Sequence, residues 1–409
     1  MGTRKGYPPA RAPPARAGRP RAQAPNRAAP AGPLRRARYA VPVTGLYVHV
    51  PFCSALCPYC DFAVVVGRRE QHERYADALL AEFEAAAWPE RFETIFIGGG
   101  TPTFVDPALL ARVLAAPGPA AEVTIEANPE STETGALRAL AERGVNRVSI
   151  GAQSFAPHVL RALGRTHTAA DIPRAVGAAR AAGIDNVSLD LIYGSSGESV
   201  EDWRATLQQA IALGVEHLSC YALTIEERTA FGTAVARGTM TPPDEDALAE
   251  RYEVACELLA RAGFEHYEIS NWARPGRESR HNLIYWTQGD YLGLGLGAHS
   301  HRQGHRWWNT RALQAYLADP ARARAGEETL TPEQRADEWL QLRLRLIEGV
   351  DVAEAETRLA RKLSTPTRAL QDAGLATLDQ GRLHLTTRGM LLENEVALRL
   401  LGATRTTTP

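Results

Sequence analysis

Long apolar stretches are missing from this chain of 409 residues. No uninterrupted run reaches the length needed to cross a bilayer, and no apolar signal-peptide core is present, so neither a membrane span nor secretion is expected. An excess of one charge is missing too: 46 Lys and Arg against 47 Asp and Glu leave a net charge of -1, which argues against a globally basic nucleic-acid binder. Cysteine is sparse. The five cysteines, an odd number with three of them grouped, do not form an extracellular disulfide framework, and a reducing cytoplasm fits better. Acidic residues are absent before Asp61. Residues 1–43 are instead rich in Pro, Ala and Arg, cannot bury enough apolar surface to offset ordering entropy, and are expected to be disordered. That segment shares its Arg-rich, acid-free character with organelle transit peptides but lacks their amphipathic face. Its low complexity equally suits a start codon placed too far upstream.

What is present is concentrated. Cys53, Cys57 and Cys60 form a C-x3-C-x2-C clip beside Pro58 and Tyr59, with no fourth ligand nearby. A closed zinc site or a saturated iron-sulfur cluster wants four protein ligands, whereas three thiolates on a cubane leave one iron open to an exogenous group. Such clustering at ligand spacing does not read as thiols that merely pack. Cys220, in a strand pattern, and Cys256, in a helical run, do read as small buried hydrophobes.

From Gly45 onward, short β-branched runs alternate with Ala/Leu/Glu-rich stretches, the pattern of repeated βα units around a parallel sheet. Strands are predicted at Gly45–Val50, Thr94–Ile97, Glu122–Glu126, Arg147–Gly151, Asn186–Ile192 and His217–Leu223. Helices are predicted near Glu70–Ala87, Pro107–Ala115, Glu133–Glu142, Ala169–Ala182 and Val200–Leu213. Six parallel units predict an α/β fold, a partial barrel. In such folds ligands gather outside the carboxyl ends of the strands, and the distinctive residues obey that rule. The clip follows the first strand and Gly98-Gly99-Gly100-Thr101-Pro102 the second; Glu126 ends the third, Gln153 follows the fourth, and Asp190 lies near the end of the fifth.

The glycine run permits close backbone approach and suits a ligand's amino or carboxylate group rather than a phosphate, because no Walker lysine follows it. Glu126 and Asp190 offer acceptors for ribose hydroxyls or an ammonium group, and Arg165 offers a fork for a carboxylate.

With these residues in place, the chain resembles the radical SAM superfamily. The resemblance implies a TIM-like partial (β/α)6 barrel in which Cys53, Cys57 and Cys60 hold a 4Fe-4S cluster whose open iron binds S-adenosylmethionine. It further implies that an external electron donor feeds the cluster, and that one electron passed to the sulfonium cleaves the cofactor to methionine and a 5'-deoxyadenosyl radical. The run Tyr47-Val48-His49-Val50-Pro51-Phe52-Cys53, with Gly98 to Pro102, Glu126, Gln153, Arg165 and Asp190, is similar to the coproporphyrinogen dehydrogenase-like branch. Carried over, Tyr47, Tyr59, Gly99, Gly100, Thr101, Glu126, Gln153, Arg165 and Asp190 would line the cofactor subsites. One departure is Ser195-Ser196, where relatives usually carry Leu-Pro; it predicts a looser loop near Asp190.

Within the branch, oxygen-independent coproporphyrinogen dehydrogenases carry a further cysteine two residues after the third ligand and an ordered segment before the barrel. Here position 62 is Phe, and the leading segment is Pro/Arg low complexity. Both departures resemble the heme chaperone HemW family, which binds heme and passes it to apo-hemoproteins. The element His281-Asn282-Leu283-Ile284-Tyr285-Trp286 matches that family's H-N-x-x-Y-W signature. His281 is expected as an axial heme ligand or its neighbour, with Tyr285 and Trp286 as stacking faces and His299 and His301 as further imidazoles. The alternative for His281 is a turn-satisfying histidine among core aromatics.

The expected organisation is a disordered 1–43, a core barrel over 44–265, a heme-associated extension over 266–325, a winged-helix-like α+β domain over 326–401, and a tail over 402–409. Mixed charges in the winged-helix-like part favour packing or partner docking over nucleic-acid binding. Expected partners are heme or a porphyrin, apo-hemoprotein acceptors and the electron donor; a homodimer is also open. The competing functions are a coproporphyrinogen III dehydrogenase of porphyrin biosynthesis and a zinc-binding interaction module. Whether the cofactor is cleaved is left open.

Overall fold

The computed structural model describes residues 44–88 and 91–402; the expectations for 1–43 and for the tail beyond Gly402 lie outside the described residues. Six parallel strands form the centre of one sheet: β1 (Gly45–Val50), β2 (Thr94–Gly99), β3 (Glu122–Ala127), β4 (Arg147–Gln153), β5 (Asn186–Tyr193) and β6 (His217–Ala222), each hydrogen-bonded to the next. All six start where the sequence predicts; the misses are at the carboxyl ends, where β2 to β5 run one or two residues further and β6 ends one residue early. In β2, glycines that read as turn signals stay in register: Gly98 pairs with His49 and Gly99 with Val50. Strand burial explains the legibility. Every residue of β4 is buried, as expected for a strand covered on both faces.

The helices α1 (His72–Ala86), α2 (Pro107–Ala115), α3 (Thr134–Ala141), α4 (Asp171–Ala181) and α5 (Val200–Ala212) fall in the connections. Local chemistry fixes two of their starts. Ser199 and Asp202 form a reciprocal capping box at α5, and Asp106 caps α2 ahead of Pro107 at its first position.

The sheet continues past the barrel strands at both edges, to twelve strands among the described residues. On one side β7 (Glu265–Glu268) and β8 (Asn271–Ala273) add antiparallel to β6. On the other side β9 (Tyr291–Leu294) pairs parallel with β1, and β10 (His299–Arg302), β11 (His305–Asn309) and β12 (Arg324–Thr329) follow antiparallel. The turn between β9 and β10 is anchored by Glu82 of α1. Its buried carboxylate accepts from Gly295 N–H at 2.8 Å, Tyr316 O–H at 2.6 Å and Asn309 Nδ2 at 2.5 Å. Burial nevertheless pushes Glu82 up to about 7, above the usual carboxylate range.

A separate hydrophobic core, including Trp339, Leu340, Leu370 and Val396, lies wholly within the C-terminal part. There a helix (Pro332–Leu344), a strand (Val350–Asp351), two helices (Val352–Leu359 and Ser364–Asp372) and a hairpin (Ala376–Asp379 and Arg382–Leu385) follow in winged-helix order, the strands making a three-stranded antiparallel sheet. Among the described residues no helix is long and apolar enough to cross a membrane.

Candidate functional site

A cleft of about 410 Å³ opens at the carboxyl ends of the barrel strands, within the size range of small-molecule sites. Cys53, Cys57 and Cys60 line it, together with Tyr59, Gly99, Gly100, Thr101, Glu126, Gln153, Arg165 and Asp190. Every cofactor residue expected from the sequence except Tyr47 therefore meets in one place.

The clip is built by the local backbone. Phe52-Cys53 pairs with Val65-Val66 in a small parallel ladder, and Cys60 N–H donates to Cys57 O at 3.1 Å, turning the loop. A chain of polar contacts then joins two thiols across the cleft. Thr101 Oγ1 donates to Cys53 Sγ at 3.6 Å, and Asn128 Nδ2 donates to Thr101 Oγ1 at 3.0 Å. Arg165 Nη2 donates to Asn128 Oδ1 at 2.6 Å, while Nη1 of the same fork reaches Cys57 Sγ at 3.5 Å. Burial pushes the Cys53 thiol up to about 11 and raises Cys60 as well, so iron would have to displace their protons, as metal binding to thiols does.

The donor set fits an iron-sulfur cluster. Gly100 packs so tightly that a Cβ there would lie 2.6 Å from Pro51 O and 2.8 Å from Cys53 Sγ, so the backbone lies directly against the thiol. Buried Arg165 Nε has no protein partner and is available to a ligand. Among the described residues no three His, Cys, Asp or Glu side chains meet at a point suited to a single ion. A cubane needs no such point, because each thiolate takes its own corner iron, whereas a mononuclear zinc site does.

The far wall is acidic. Glu126 accepts from Gly99 N–H at 2.9 Å, yet burial and the neighbouring Asp190 charge push it up to about 7. Burial also raises Asp190, whose two oxygens both accept from Ser149 Oγ at 2.9 and 3.0 Å. Two buried carboxyls with raised pKa values are suited to accept from hydroxyl or ammonium groups of a ligand that displaces water. Gln153 sits in the left-handed region at φ 62° where the β4 ladder shifts register, a strained conformation of the kind that collects at ligand sites.

Tyr47 stands elsewhere. With Tyr285, Tyr291, His299, Trp308 and Arg311 it lines a second pocket of about 420 Å³, and Phe62, 69% exposed, borders both cavities. The heme expectation for His281 also needs correction. Helix α6 (Arg280–Trp286) packs at the amino ends of β1, β2 and β3, away from the cleft, so closely that a Cβ on Gly45 would lie 2.8 Å from Ile284 and 3.0 Å from His281. His281 is 1% exposed, with Nδ1 bonded to Thr94 Oγ1 at 2.8 Å and Nε2 to Tyr285 O–H at 2.9 Å, while Glu122 accepts from its backbone N–H at 2.9 Å. Neither ring nitrogen is open to iron. Trp286 faces away, under the Arg345 guanidinium at 4.3 Å and beside Tyr267 and Leu346. His301 is likewise closed, Nδ1 donating to Gly289 O and Nε2 accepting from Gly304 N–H. Of the three expected heme residues, Tyr285 lines the second pocket.

Ser195 and Ser196 lie outside the cleft, against Pro242, Pro243 and Leu248. Their loop is held: Glu198 Oε2 accepts from Gly194 N–H at 2.6 Å and from Arg251 Nε at 3.1 Å. Sequence reasoning gave no role to Asn128, although it follows the end of β3, the same signal that singled out Glu126, or to Ser149, whose place inside β4 offers no such signal.

The radical SAM superfamily model matches residues 47–210, and the HemN C-terminal domain model matches residues 330–392. Over 373 residues the chain is 40% identical to the heme chaperone HemW of Mycobacterium tuberculosis, covering 88% of this chain and 95% of the relative. It is 35% identical to the heme chaperone HemW of Lactococcus lactis, covering 87% and 96%. Among solved structures, the coproporphyrinogen III oxidase HemN of Escherichia coli, a radical SAM enzyme, matches with a TM-score of 0.75 at 24% identity, covering 89% of this chain and 91% of that one. At that identity the structural likeness speaks for the fold.

Proposed function

Because the chain belongs to the heme chaperone HemW family within the radical SAM superfamily, we propose that it binds heme and hands it to apo-hemoproteins from a scaffold that carries a 4Fe-4S cluster and S-adenosylmethionine. Cys53, Cys57 and Cys60 hold the cluster. Arg165 and the glycine backbone take the carboxylate and amino group of the cofactor, and Glu126, Asp190 and Gln153 its ribose and base side. When bound, the cluster supplies an open iron for the cofactor and an electron from an external donor. The protein's part is to hold, orient and exclude water.

The observation that carries the choice between chaperone and oxidase is Phe62. It projects, largely exposed, at the border of both cavities, at the position where the dehydrogenases place a further cysteine. An apolar ring there suits contact with a tetrapyrrole more than support of a second redox centre. Five cysteines, an odd number with three grouped, suit a reducing, cytoplasmic setting. The test is anaerobic reconstitution followed by paired heme titration and coproporphyrinogen III conversion, with Cys53→Ser as the cluster control. Stoichiometric heme uptake without turnover is expected, and robust conversion to protoporphyrinogen would replace this reading with the oxidase.

A further inference from the structure

Behind the cleft, just outside its lining, stands a buried histidine that none of the cofactor contacts uses. His167 is 4% exposed and follows Arg165 by two residues. Its Nε2 donates to Ala152 O at 3.0 Å, since a carbonyl can only accept, and its Nδ1 faces Glu130 Oε2 at 3.5 Å. Although burial opposes it, the His167 ring, its own backbone, Arg165 and Thr166 hold the Glu130 carboxyl down at about 2, so Glu130 is an ionised anchor. Thr166 Oγ1 donates to its other oxygen at 3.0 Å.

What His167 holds is the backbone that presents Gln153 to the cleft. Ser154 N–H closes back onto the same Ala152 O at 2.7 Å, across Gln153 with its φ of 62°; closure over two residues about a positive φ is the pattern of the rare, strained γ-turn. Such a turn persists only where its surroundings over-determine it. Thr206 Oγ1 secures the far side, accepting from Phe155 N–H at 3.3 Å and meeting Ser154 Oγ at 3.2 Å, and His167 secures the near side. One carbonyl earlier, Arg165 Nη2 donates to Gly151 O at 3.1 Å, so residues 165 and 167 grip successive carbonyls at the end of β4. The turn brings Gln153 beside Arg165: a Cβ on Gly151 would lie 2.9 Å from Gln153 Nε2, 3.1 Å from Asn128 Oδ1 and 3.6 Å from Arg165 Nη2. Three polar ends crowd over one glycine.

We propose that His167, braced by Glu130, is a positioning residue for S-adenosylmethionine: it acts through the Ala152 carbonyl, which fixes the turn that aims Gln153. Without this donor the carbonyl keeps only Ser154 N–H, and the turn is free to relax towards extended backbone. Gln153 then swings away from Arg165. The role rests on the cofactor reading of the cleft and deepens it, by naming a residue outside the lining on which the lining depends.

The experiment is calorimetric titration of S-adenosylmethionine into the full-length, cluster-reconstituted protein, with iron content and melting temperature recorded alongside. The parent is compared with Gln153→Ala, His167→Leu, His167→Gln and the double variant of Gln153→Ala with His167→Leu. His167→Leu should weaken binding about fivefold or more with iron content near parental. His167→Gln, which carries an amide donor at similar reach, should bind within about twofold of the parent. The double variant should lose little more than the weaker single, because both changes act through one side chain. Parental affinity in His167→Leu, no rescue by Gln, or single losses that multiply in the double variant would each overturn the role while the cofactor reading stands. If His167→Leu does not fold, Glu130→Ala takes its place in the cycle: about threefold weaker alone and non-additive with Gln153→Ala is the expected result, and multiplying losses overturn the role. A parent that binds no S-adenosylmethionine, or a Gln153→Ala protein that binds it as the parent does, removes the cofactor reading of Gln153 itself.

Discussion

Replacing Glu82 by Gln isolates the titration of one buried carboxyl. Glu82 is 9% exposed and its pKa is pushed from 4.5 to about 7 by burial, although three donors point at it. Because the folded-state pKa is raised, the proton is bound more tightly in the folded state. The stability this contributes is full below about pH 4.5 and is lost as pH rises through about 7. At 1.36 kcal/mol per unit, the shift amounts to roughly 3 kcal/mol in total, most of which falls between pH 5 and 8. Gln keeps the shape and the acceptor for Gly295 N–H and Tyr316 O–H, and it turns an NH2 towards Asn309; that cost is the same at every pH. The other raised carboxyls, Glu126, Asp190, Glu198 and Glu393, titrate in both proteins and cancel in the difference. Urea denaturation at four pH values should therefore show the parent losing about 2–3 kcal/mol more than Glu82→Gln between pH 5 and 8. Parallel stability curves would refute the reasoning and show that the three donors keep Glu82 ionised at all these pH values.

Three further outcomes are expected. Gly100→Ala drives a Cβ into Pro51 O and Cys53 Sγ; it should fold with a loss of about 1–3 kcal/mol but retain much less iron after reconstitution, and full iron content would show that the backbone there can yield. Arg165→Lys keeps the charge but loses the fork that spans Asn128, Gly151 O and Cys57; calorimetric titration should show S-adenosylmethionine affinity falling about tenfold, and unchanged affinity would remove Arg165 from the site. His281→Ala strips partners from Thr94 and Tyr285 and opens a cavity at the amino ends of the strands, so thermal and chemical denaturation should record a loss of about 2–4 kcal/mol, whereas a parental melting temperature would reinstate the residue as a ligand held in reserve.

The barrel was legible in the sequence because its six strands are buried on both faces and two of its helices, α2 and α5, carry side-chain caps, so periodicity and punctuation agree there. The cleft was legible for the same reason: strand-end position is set by local pattern, and once the strands were placed, Glu126, Gln153 and Asp190 had to converge. The second pocket was not legible. Tyr47 lies in the middle of β1, and alternation alone does not tell which neighbour its face will meet; that depends on β9 and β10 arriving at the sheet edge, a pairing of residues far apart in the chain. His281 misled for a related reason. A histidine beside aromatics has one composition whether it faces a cavity or plugs the amino ends of three strands, and only the tertiary partners Thr94, Glu122 and Tyr285 decide between them.

The parallel pairing of β9 with β1 has a temporal consequence. The strand that leads into Cys53 is flanked by β2 on one side and, on the other, by a segment synthesised only after the whole barrel has emerged. Non-local closure of this kind is slow, because the chain between the paired strands must lose its freedom before the contact repays it. During translation the cysteine loop therefore hangs from an open sheet edge with its thiols unprotected, and it gains its final frame when β9 docks. Iron loading is best timed after release from the ribosome, when the edge has closed.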